Sequence, residues 1–212
     1  AESYGVKVLR LPRNMGFAFA NDEAAKIAGG EFLFFANNDM IFERDCVSEL
    51  VSAIKADDAI FAADARHYNW EGDGINHCAV RISRGGLTDL FPFIRVRFVP
   101  VEERTEIPWG CAGSLMVRRS VFEELGGFDP AFFYDNEDLD LCVRGWMRGW
   151  KTVHVPSARL RHKVSGGISR PANWRIQSGE MNLMRFALKV MRRRTALKIW
   201  IAKLFQGFAL IL

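Results

Sequence analysis

Hydrophobic positions in the first third of the chain alternate between short apolar runs and helically spaced patterns. The runs at residues 6–11 and 32–36 predict strands, and the second is continuously apolar, as in a strand buried on both faces of a sheet. Residues 17–28 are rich in alanine, and residues 46–56 place apolar side chains at helical spacing, so both segments predict helices. A further apolar run at residues 60–63 completes the order β-α-β-α-β, which predicts an open α/β sheet.

This rhythm is interrupted over residues 64–108, which contain glycine, proline and aromatic residues. A strand-like run at residues 93–99 predicts an insertion built from a hairpin and a mobile loop. Strand patterns return at residues 113–117 and 152–155, and the second of these is followed by Pro156. The regular α/β pattern is therefore expected to continue on both sides of the insertion.

A helix is predicted over residues 137–148, with Asn136 as its N-cap. Its inward face is predicted from the apolar positions that recur at helical spacing: Leu139, Val143, Trp146 and Met147. Four carboxylates lie within six residues at the start of this helix: Asp135, Glu137, Asp138 and Asp140. The helix dipole stabilises such charges, and one of them could act as a general base that deprotonates a hydroxyl. The alternative is charge complementarity with the helix N-terminus, with Asp140 and Arg144 as an i,i+4 pair.

Asp39 follows the buried strand predicted at residues 32–36. Ligands of open α/β sheets bind beyond the carboxyl ends of the strands, where a carboxylate can hold a divalent cation and, through it, a diphosphate. The alternative is a simple turn, since Asn-Asn-Asp is good turn chemistry. His162 is a candidate metal ligand after a strand-like segment, whereas His67, His77 and His154 are weaker candidates, because a lone histidine is more often structural.

The composition, with 49% hydrophobic and 25% charged residues, is that of a globular protein and excludes disordered and collagen-like classes. No run of 18 uncharged apolar residues is present, so the sequence predicts no complete membrane-spanning helix. The four cysteines lie far apart without a CxxC motif, which predicts buried free thiols in a reducing compartment.

Charge is distributed unevenly along the chain. Residues 1–150 carry a net charge of −8, whereas residues 151–212 carry +12. We therefore predict two units, a domain over residues 1–175 and a basic amphipathic helical tail over residues 176–212. The basic sector of the predicted tail helix contains Arg185, Lys189, Arg192, Arg193 and Lys203. Its apolar sector contains Leu183, Met184, Ala187, Met191 and Ile201.

Such a helix is expected to lie on an anionic membrane surface. The alternative is that it packs on the acidic body of the protein. Nucleic acid is not expected as a partner, because no platform of aromatic and basic residues and no groove-reading motif accompanies the charge.

In their order along the chain, these segments resemble the family 2 glycosyltransferases. The amino-terminal matches follow the pattern N-x-G-F-A-x-A-N and then G-E-x-x-x-x-x-N-x-D: Asn14, Gly16, Asn21, Gly30, Glu31, Asn37 and Asp39. The downstream matches are Gly113, Arg118, Phe122, Gly126, Gly127, Phe128, Asp129, Phe133, Tyr134, Glu137, Asp138, Arg144, Gly149, Pro156 and His162. The resemblance covers about residues 6–170 and is closest to the rhamnosyltransferase-like branch that builds bacterial surface polysaccharides.

This resemblance implies a GT-A (Rossmann-like) open mixed sheet, a nucleotide-sugar donor and Mg²⁺ or Mn²⁺. The residues implied for donor binding are Asn14, Gly16, Asn38 and Asp39. The implied metal ligands are Asp39 and His162, and Asn37 stands where the family motif has its first acid. Trp109, Gly110 and Gly113 would line the acceptor side. Asp138 matches the catalytic base, with Glu137 beside it.

The resemblance also implies an N-terminal strand-helix-strand segment that grips the nucleoside, and residues 6–11 match the third strand of the family. The chain is therefore expected to be an N-terminally incomplete part of an inverting transferase, cytoplasmic and peripheral on the inner face of the plasma membrane. It would act on a glycan or a lipid-linked acceptor. The alternative is a degenerate, non-catalytic domain that binds a glycan or a protein partner, which Asn37 and the missing segment favour.

Overall fold

A computed structural model describes residues 5–85, 94–163 and 172–209. Within these ranges the chain forms six helices and nine strands. The helices are α1 Phe17–Ile27, α2 Cys46–Lys55, α3 Arg119–Glu124, α4 Glu137–Trp146, α5 Ala172–Val190 and α6 Arg193–Ala209. The strands are β1 Phe32–Ala36, β2 Met40–Phe42, β3 Ile60–Tyr68, β4 Ile75–His77, β5 Ala79–Arg84, β6 Ile94–Val99, β7 Thr105–Ile107, β8 Ser114–Arg118 and β9 Lys151–His162.

Seven of these strands form one open mixed sheet, as predicted. Its order is β1-β8-β3-β9-β2, with β4 paired to β3 and β7 paired to β9. The central strands β3 and β9 are parallel, and the other pairs are antiparallel. Strands β5 and β6 form a separate antiparallel hairpin, which confirms the hairpin predicted in the insertion. Residues 86–93, where the mobile loop was predicted, lie outside the described residues.

The strand predicted at residues 6–11 is absent from the structure. This segment has no regular secondary structure, and Val6, Val8 and Leu9 are exposed. It pairs with none of the strands in the described ranges. A β-branched run gains strand geometry from pairing and packing, so propensity alone did not order this segment as a strand.

Strand β9 is longer than predicted, because it continues through Pro156. Its pairing with β3 runs to Val155, shifts in register, and resumes at Arg159. Proline lacks the N–H that a regular ladder needs, and the register shift accommodates it. The continuation matters for the site because it brings His162 to the end of β9 beside β2.

Helix α4 begins at Glu137, as predicted, but its inward face differs from the prediction. Trp146 and Met147 are 49% and 68% exposed, so their assignment to the inward face was wrong. The helix lies so close to β3 that a Cβ at Gly145 would be 2.6 Å from the ring of Phe61. Gly145 thus allows the helix to approach the sheet closely. The buried apolar residues of the helix are Leu139, Leu141 and Cys142.

The predicted single tail helix is two helices, and the predicted boundary at residue 176 falls inside α5. Leu183, Phe186 and Ala187 of α5 are buried against Phe132 and Leu139 of the body. This is the alternative that the sequence left open, packing of the segment on the acidic body.

The structure also bears on the predictions about the cysteines and about membrane-spanning helices. The four cysteines are free thiols, and they are Cys46, Cys78, Cys111 and Cys142. All are buried except Cys111, which is half-buried. In the described ranges, every helix is too short or too polar to cross a membrane.

Candidate functional site

Asp39 and His162, the two predicted metal ligands, are brought together by the pairing of β2 with β9. Met40 lies opposite His162 in this ladder, and His162 Nε2 is 3.4 Å from Asp39 Oδ1. Asp39 lies in the turn after β1, and its Oδ1 atom is buried without a hydrogen-bond partner. A shielded carboxylate oxygen beside an imidazole nitrogen is a donor set that fits Mg²⁺ or Mn²⁺. Asn38 is exposed in the same turn.

All four histidines of the chain lie in one connected group, which the sequence reasoning missed. The register places His67 opposite His77 on β4, and Asp64 opposite His154 on β9. The rings of His67 and His77 have centroids 4.7 Å apart, and those of His67 and His162 are 5.6 Å apart. No spacing in the sequence signals this group, because only the pairing of distant strands assembles it.

Asp64 is the centre of this group and is fully buried. It accepts hydrogen bonds from His77 Nε2 at 3.0 Å and from His154 Nδ1 at 2.8 Å. Burial alone would raise the pKa of Asp64, but the charge of His77 and the hydrogen bonds from His154 and His77 hold it well below its usual range. The carboxylate is thus ionised and satisfied by its protein partners.

A second arrangement of groups that could hold a cation is formed by Asp64, His67 and His77. One ligand atom from each lies within 4.8 Å of the others. Burial lowers the pKa of His67 to about 3, so its imidazole is neutral, as a metal ligand must be. However, both oxygens of Asp64 already accept hydrogen bonds, whereas Asp39 Oδ1 accepts none. The unpartnered oxygen makes Asp39 the better candidate.

The predicted base and its neighbour open α4. Asp138 Oδ2 accepts the N–H of Ala112 at 3.1 Å, and its Oδ1 accepts the N–H of Leu139 at 2.7 Å. Burial raises the pKa of Asp138 to about 6, which suits a general base near neutral pH. Glu137 is buried, and burial together with the charge of Asp138 raises its pKa well above the usual range. Glu137 is therefore a neutral acid beside an ionisable base.

Asn136 occupies the N-cap position of α4, as predicted, but makes no capping hydrogen bond. Its φ of +70° follows a φ of +69° at Asp135, so two consecutive non-glycine residues adopt the left-handed conformation. The side chain of Asn136 donates instead to the carbonyl of Gly179 on α5 at 3.3 Å. The chain thus makes a sharp turn directly before Glu137.

Asp140, the last carboxylate of the cluster, has a structural role. It is fully buried, and its Oδ2 accepts a hydrogen bond from Arg144 Nε at 2.7 Å. The same guanidinium donates to the carbonyls of Leu125 and Gly127. The predicted i,i+4 pair therefore explains Asp140, and Asp135 bonds within its own turn, where its Oδ1 accepts the N–H of Asn136. Glu137 and Asp138 are the remaining carboxylates of the cluster.

Residues 110–113 connect the acidic elements of the site. Cys111 donates its N–H to Asp64 at 2.9 Å, and the next residue, Ala112, donates to Asp138. Gly113 then accepts the N–H of Asn37 at 2.9 Å, in the turn that carries Asp39. Three consecutive residues of this loop thus connect the histidine group, the candidate base and the candidate metal ligand in one site.

Close packing explains why two of residues 110–113 are glycines. A Cβ at Gly110 would lie 2.6 Å from Asp64 Cβ, and one at Gly113 would lie 2.6 Å from Asn37 Nδ2. Both glycines were predicted on the acceptor side, and the structure places them where no side chain fits. Trp109, the third predicted acceptor residue, is half-buried beside them.

Asn14 and Gly16, the remaining residues predicted to bind the nucleotide-sugar donor, lie next to the segment that precedes α4. Asn14 Oδ1 accepts the N–H of Gly16 at 3.0 Å, and Gly16 has a φ of +86°. A Cβ at Gly16 would be 2.7 Å from the carbonyl oxygen of Phe133, to which Phe17 donates its N–H at 3.1 Å. The start of α1 is therefore fixed against the segment that leads to Glu137.

Known proteins share both sequence and fold with this chain. The model of the family described as Glycosyl transferase family 2 matches residues 1–126. The N-acetylglucosaminyl-diphospho-decaprenol L-rhamnosyltransferase of Mycobacterium tuberculosis is 45% identical over 64 residues, 30% of this chain and 21% of that protein. The O-antigen biosynthesis protein RfbC of Myxococcus xanthus is 31% identical over 157 residues, 68% of this chain and 12% of that protein. The match thus spans about a fifth of the length of the mycobacterial protein and about an eighth of the length of RfbC.

Among solved structures, the crystal structure of GalNAc-T7 with UDP, GalNAc and Mn²⁺ is similar, with a TM-score of 0.63 and 20% identity. The match covers 85% of this chain and 36% of that chain, and it supports the GT-A fold. The family model extends over more than half of the chain. The chain belongs to glycosyl transferase family 2.

Proposed function

We propose that the full-length protein is an inverting, metal-dependent glycosyltransferase. It moves a sugar from a nucleotide-sugar donor to a hydroxyl of a glycan or lipid-linked acceptor in bacterial surface polysaccharide synthesis. The observation that carries the proposal is the hydrogen bond from Ala112 to Asp138, within the loop that also contacts the turn of Asp39. A base of raised pKa and a candidate cation ligand are thereby joined through two adjacent residues, Ala112 and Gly113.

The chemistry assigns one task to each group. Asp138 takes the proton of the acceptor hydroxyl, and the oxygen attacks the anomeric carbon from the face opposite the nucleotide. The bond from that carbon to the diphosphate oxygen breaks, and the nucleoside diphosphate leaves with the bonding electrons. Asp39 and His162 would hold Mg²⁺ or Mn²⁺, which when bound neutralises the charge of the leaving diphosphate. One displacement inverts the anomeric centre.

The sugar class is proposed from the relatives. Two proteins named for rhamnosyl transfer or O-antigen synthesis match this chain, and we propose a deoxyhexose donor of the rhamnose type. A panel of nucleotide sugars, incubated with the full-length protein, Mn²⁺ and lipid-linked acceptors, tests this directly. Mass spectrometry should detect a product heavier by one deoxyhexose. A product with another sugar would overturn the sugar class.

A second candidate function is binding of a glycan without turnover. Asn37, which stands where the family motif has its first acid, favours it because the cation would have fewer charged ligands. The panel experiment discriminates the two functions. Saturable binding of acceptor with no product from any donor, with and without Mn²⁺, would favour the binding module.

We also propose that the protein attaches to an anionic membrane surface through α6. Arg192, Arg193 and Arg194 are exposed at the start of this helix. Three exposed apolar side chains share a helical face with Arg193 at spacings of four, seven and eight residues: Leu197, Trp200 and Ile201. Exposed apolar side chains next to basic residues can contact the apolar and anionic parts of a membrane surface.

Binding to anionic vesicles should therefore weaken with salt without vanishing. Each basic residue near the surface contributes about 1 kcal/mol, screened over roughly 8 Å, and the apolar face adds a part that salt does not screen. Changing Arg192, Arg193 and Arg194 to Glu should reduce sedimentation with these vesicles strongly. Changing three exposed arginines of the body, Arg13, Arg44 and Arg148, to Glu alters net charge equally and should reduce it less. Equal binding to neutral vesicles, or none to either kind, contradicts the proposal.

A further inference from the structure

The segment that presents Glu137 and Asp138 is held in part by a buried amide on α5. Asn182 is 4% exposed, and its Nδ2 donates to the carbonyl of Tyr134 at 2.6 Å and to that of Asp135 at 2.9 Å. Both carbonyls belong to the sharp turn before α4. One side chain from the C-terminal segment thus satisfies two consecutive backbone acceptors beside the candidate base.

This turn needs such a restraint. Asp135 and Asn136 both have positive φ, and residues in that region cost on the order of 1 kcal/mol or more unless the surroundings stabilise them. The N–H of Asn136 is engaged by the side chain of Asp135 at 3.0 Å, and the carbonyls of Tyr134 and Asp135 find partners outside the turn. Asn182 supplies those partners.

The amide of Asn182 is itself fixed in orientation. Arg185, one turn further along α5, donates to Asn182 Oδ1 at 2.6 Å and to the carbonyl of Ala131 at 2.8 Å. This contact requires that Oδ1 face Arg185 and that the Nδ2 donor face the turn. Helix α5 approaches closely at Gly179, where a Cβ would be 3.0 Å from Asp135 Oδ2. The orientation of the Asn182 amide, the close approach of α5 at Gly179 and the conformation of the turn before α4 therefore depend on one another.

We infer that Asn182 is a positioning residue for catalysis, an inference that rests on the proposed role of Asp138. By fixing the turn, Asn182 keeps Asp138 within hydrogen-bond reach of Ala112, and so sets both the position and the proton affinity of the base. Helix α5 lies beyond the residues matched by the family model, and this role of Asn182 would make the segment after residue 126 part of the catalytic unit.

The test uses Asn182→Leu in the full-length protein, which keeps the side-chain volume, adds no charge and removes the two donated hydrogen bonds. Its matched control is Gln177→Met, an amide replaced on the same helix at an exposed position. In the variant, kcat should fall about tenfold or more, because small displacements of a catalytic group are costly, while the KM for the donor stays unchanged. The control should retain the wild-type values.

The pH profile separates positioning from a general loss of structure. Loss of the hydrogen bond from Ala112, which lowers the pKa of Asp138, should move the acid limb of kcat/KM for the acceptor to higher pH. A smaller fraction of folded enzyme would lower the rate without moving that limb. If Asn182→Leu does not fold, Gly179→Ala provides a milder displacement of the turn and should shift the limb in the same direction.

An acid limb identical to that of the control, in whichever of these variants folds, overturns the inference. Asp138→Asn, measured in parallel, keeps the two proposals distinguishable. If Asp138→Asn retains turnover, the assignment of the base fails. If Asp138→Asn is inactive while Asn182→Leu has the wild-type profile, only the positioning role of Asn182 fails.

Discussion

Asp138→Asn in the full-length protein is expected to abolish sugar transfer while donor binding remains nearly intact. The substitution keeps one oxygen to accept the N–H of Ala112, although it replaces the acceptor of the Leu139 N–H by an NH₂ group, and it removes the base. A positioned general base contributes about 10²- to 10⁴-fold, and the turnover should fall by that factor. Steady-state kinetics with a lipid-linked acceptor measures the loss, and calorimetry with the nucleotide sugar measures donor binding.

The pH dependence of the wild-type protein follows from the same residue. Because burial raises the pKa of Asp138 to about 6 and the base must be ionised, the rate should fall as the pH drops through about 6. Glu137→Gln is the matched control, since burial and the charge of Asp138 raise the pKa of Glu137 and favour its neutral form, which glutamine resembles. It should retain most of the activity. More than half of the wild-type turnover in Asp138→Asn, with a large loss in Glu137→Gln, would transfer the role to Glu137.

Asp39→Ala is expected to weaken Mn²⁺-dependent donor binding on the order of 100-fold or more. Loss of a residue that only orients a metal ligand costs about 10- to 100-fold in metal affinity, and Asp39 supplies a formal charge to the cation itself. His162→Ala should have a smaller effect, because imidazole supplies a neutral nitrogen to a hard cation. Titration calorimetry of the donor with and without Mn²⁺ gives both values.

The second arrangement of histidines provides the control for this prediction. His77→Asn removes a group from the cluster of Asp64, His67 and His77 but leaves Asp39 and His162 in place. Its metal dependence should match that of the wild-type protein. If Asp39→Ala retains the full metal dependence, the turn of Asn37, Asn38 and Asp39 is only a turn. Loss of metal dependence in His77→Asn would then move the cation to Asp64.

Local sequence patterns correctly predicted those helices and strands that are determined mainly by their own residues. The apolar run at residues 32–36 and the helical spacing at 46–56 became β1 and α2, each within a residue of its predicted bounds. The strand predicted at residues 6–11 did not form, because a strand needs a neighbouring strand to pair with, and the propensity of its own residues does not provide one. Likewise, Trp146 has the right spacing for the inward face of α4, but the glycine before it is what contacts β3.

The candidate site was predicted only where a motif lies next to its element. Asp39 lies in the turn after β1, and Asp138 lies in the first turn of α4, so position along the chain identified both. His67, His77 and His154 could not be found in this way, since the pairing of β3 with β4 and β9 assembles them. Asn182 was hidden for a similar reason, because the tail was predicted to face lipid and its helix packs on the body.

The anomeric configuration of the product tests the central claim most directly. The full-length protein, supplied with Mn²⁺, the donor that it accepts and a soluble analogue of the lipid-linked acceptor, should form a product whose new glycosidic bond is identified by NMR. A single displacement assisted by Asp138 predicts a configuration opposite to that of the donor. A product with the configuration of the donor would contradict the account, because retention cannot arise from one displacement with Asp138 as the only base.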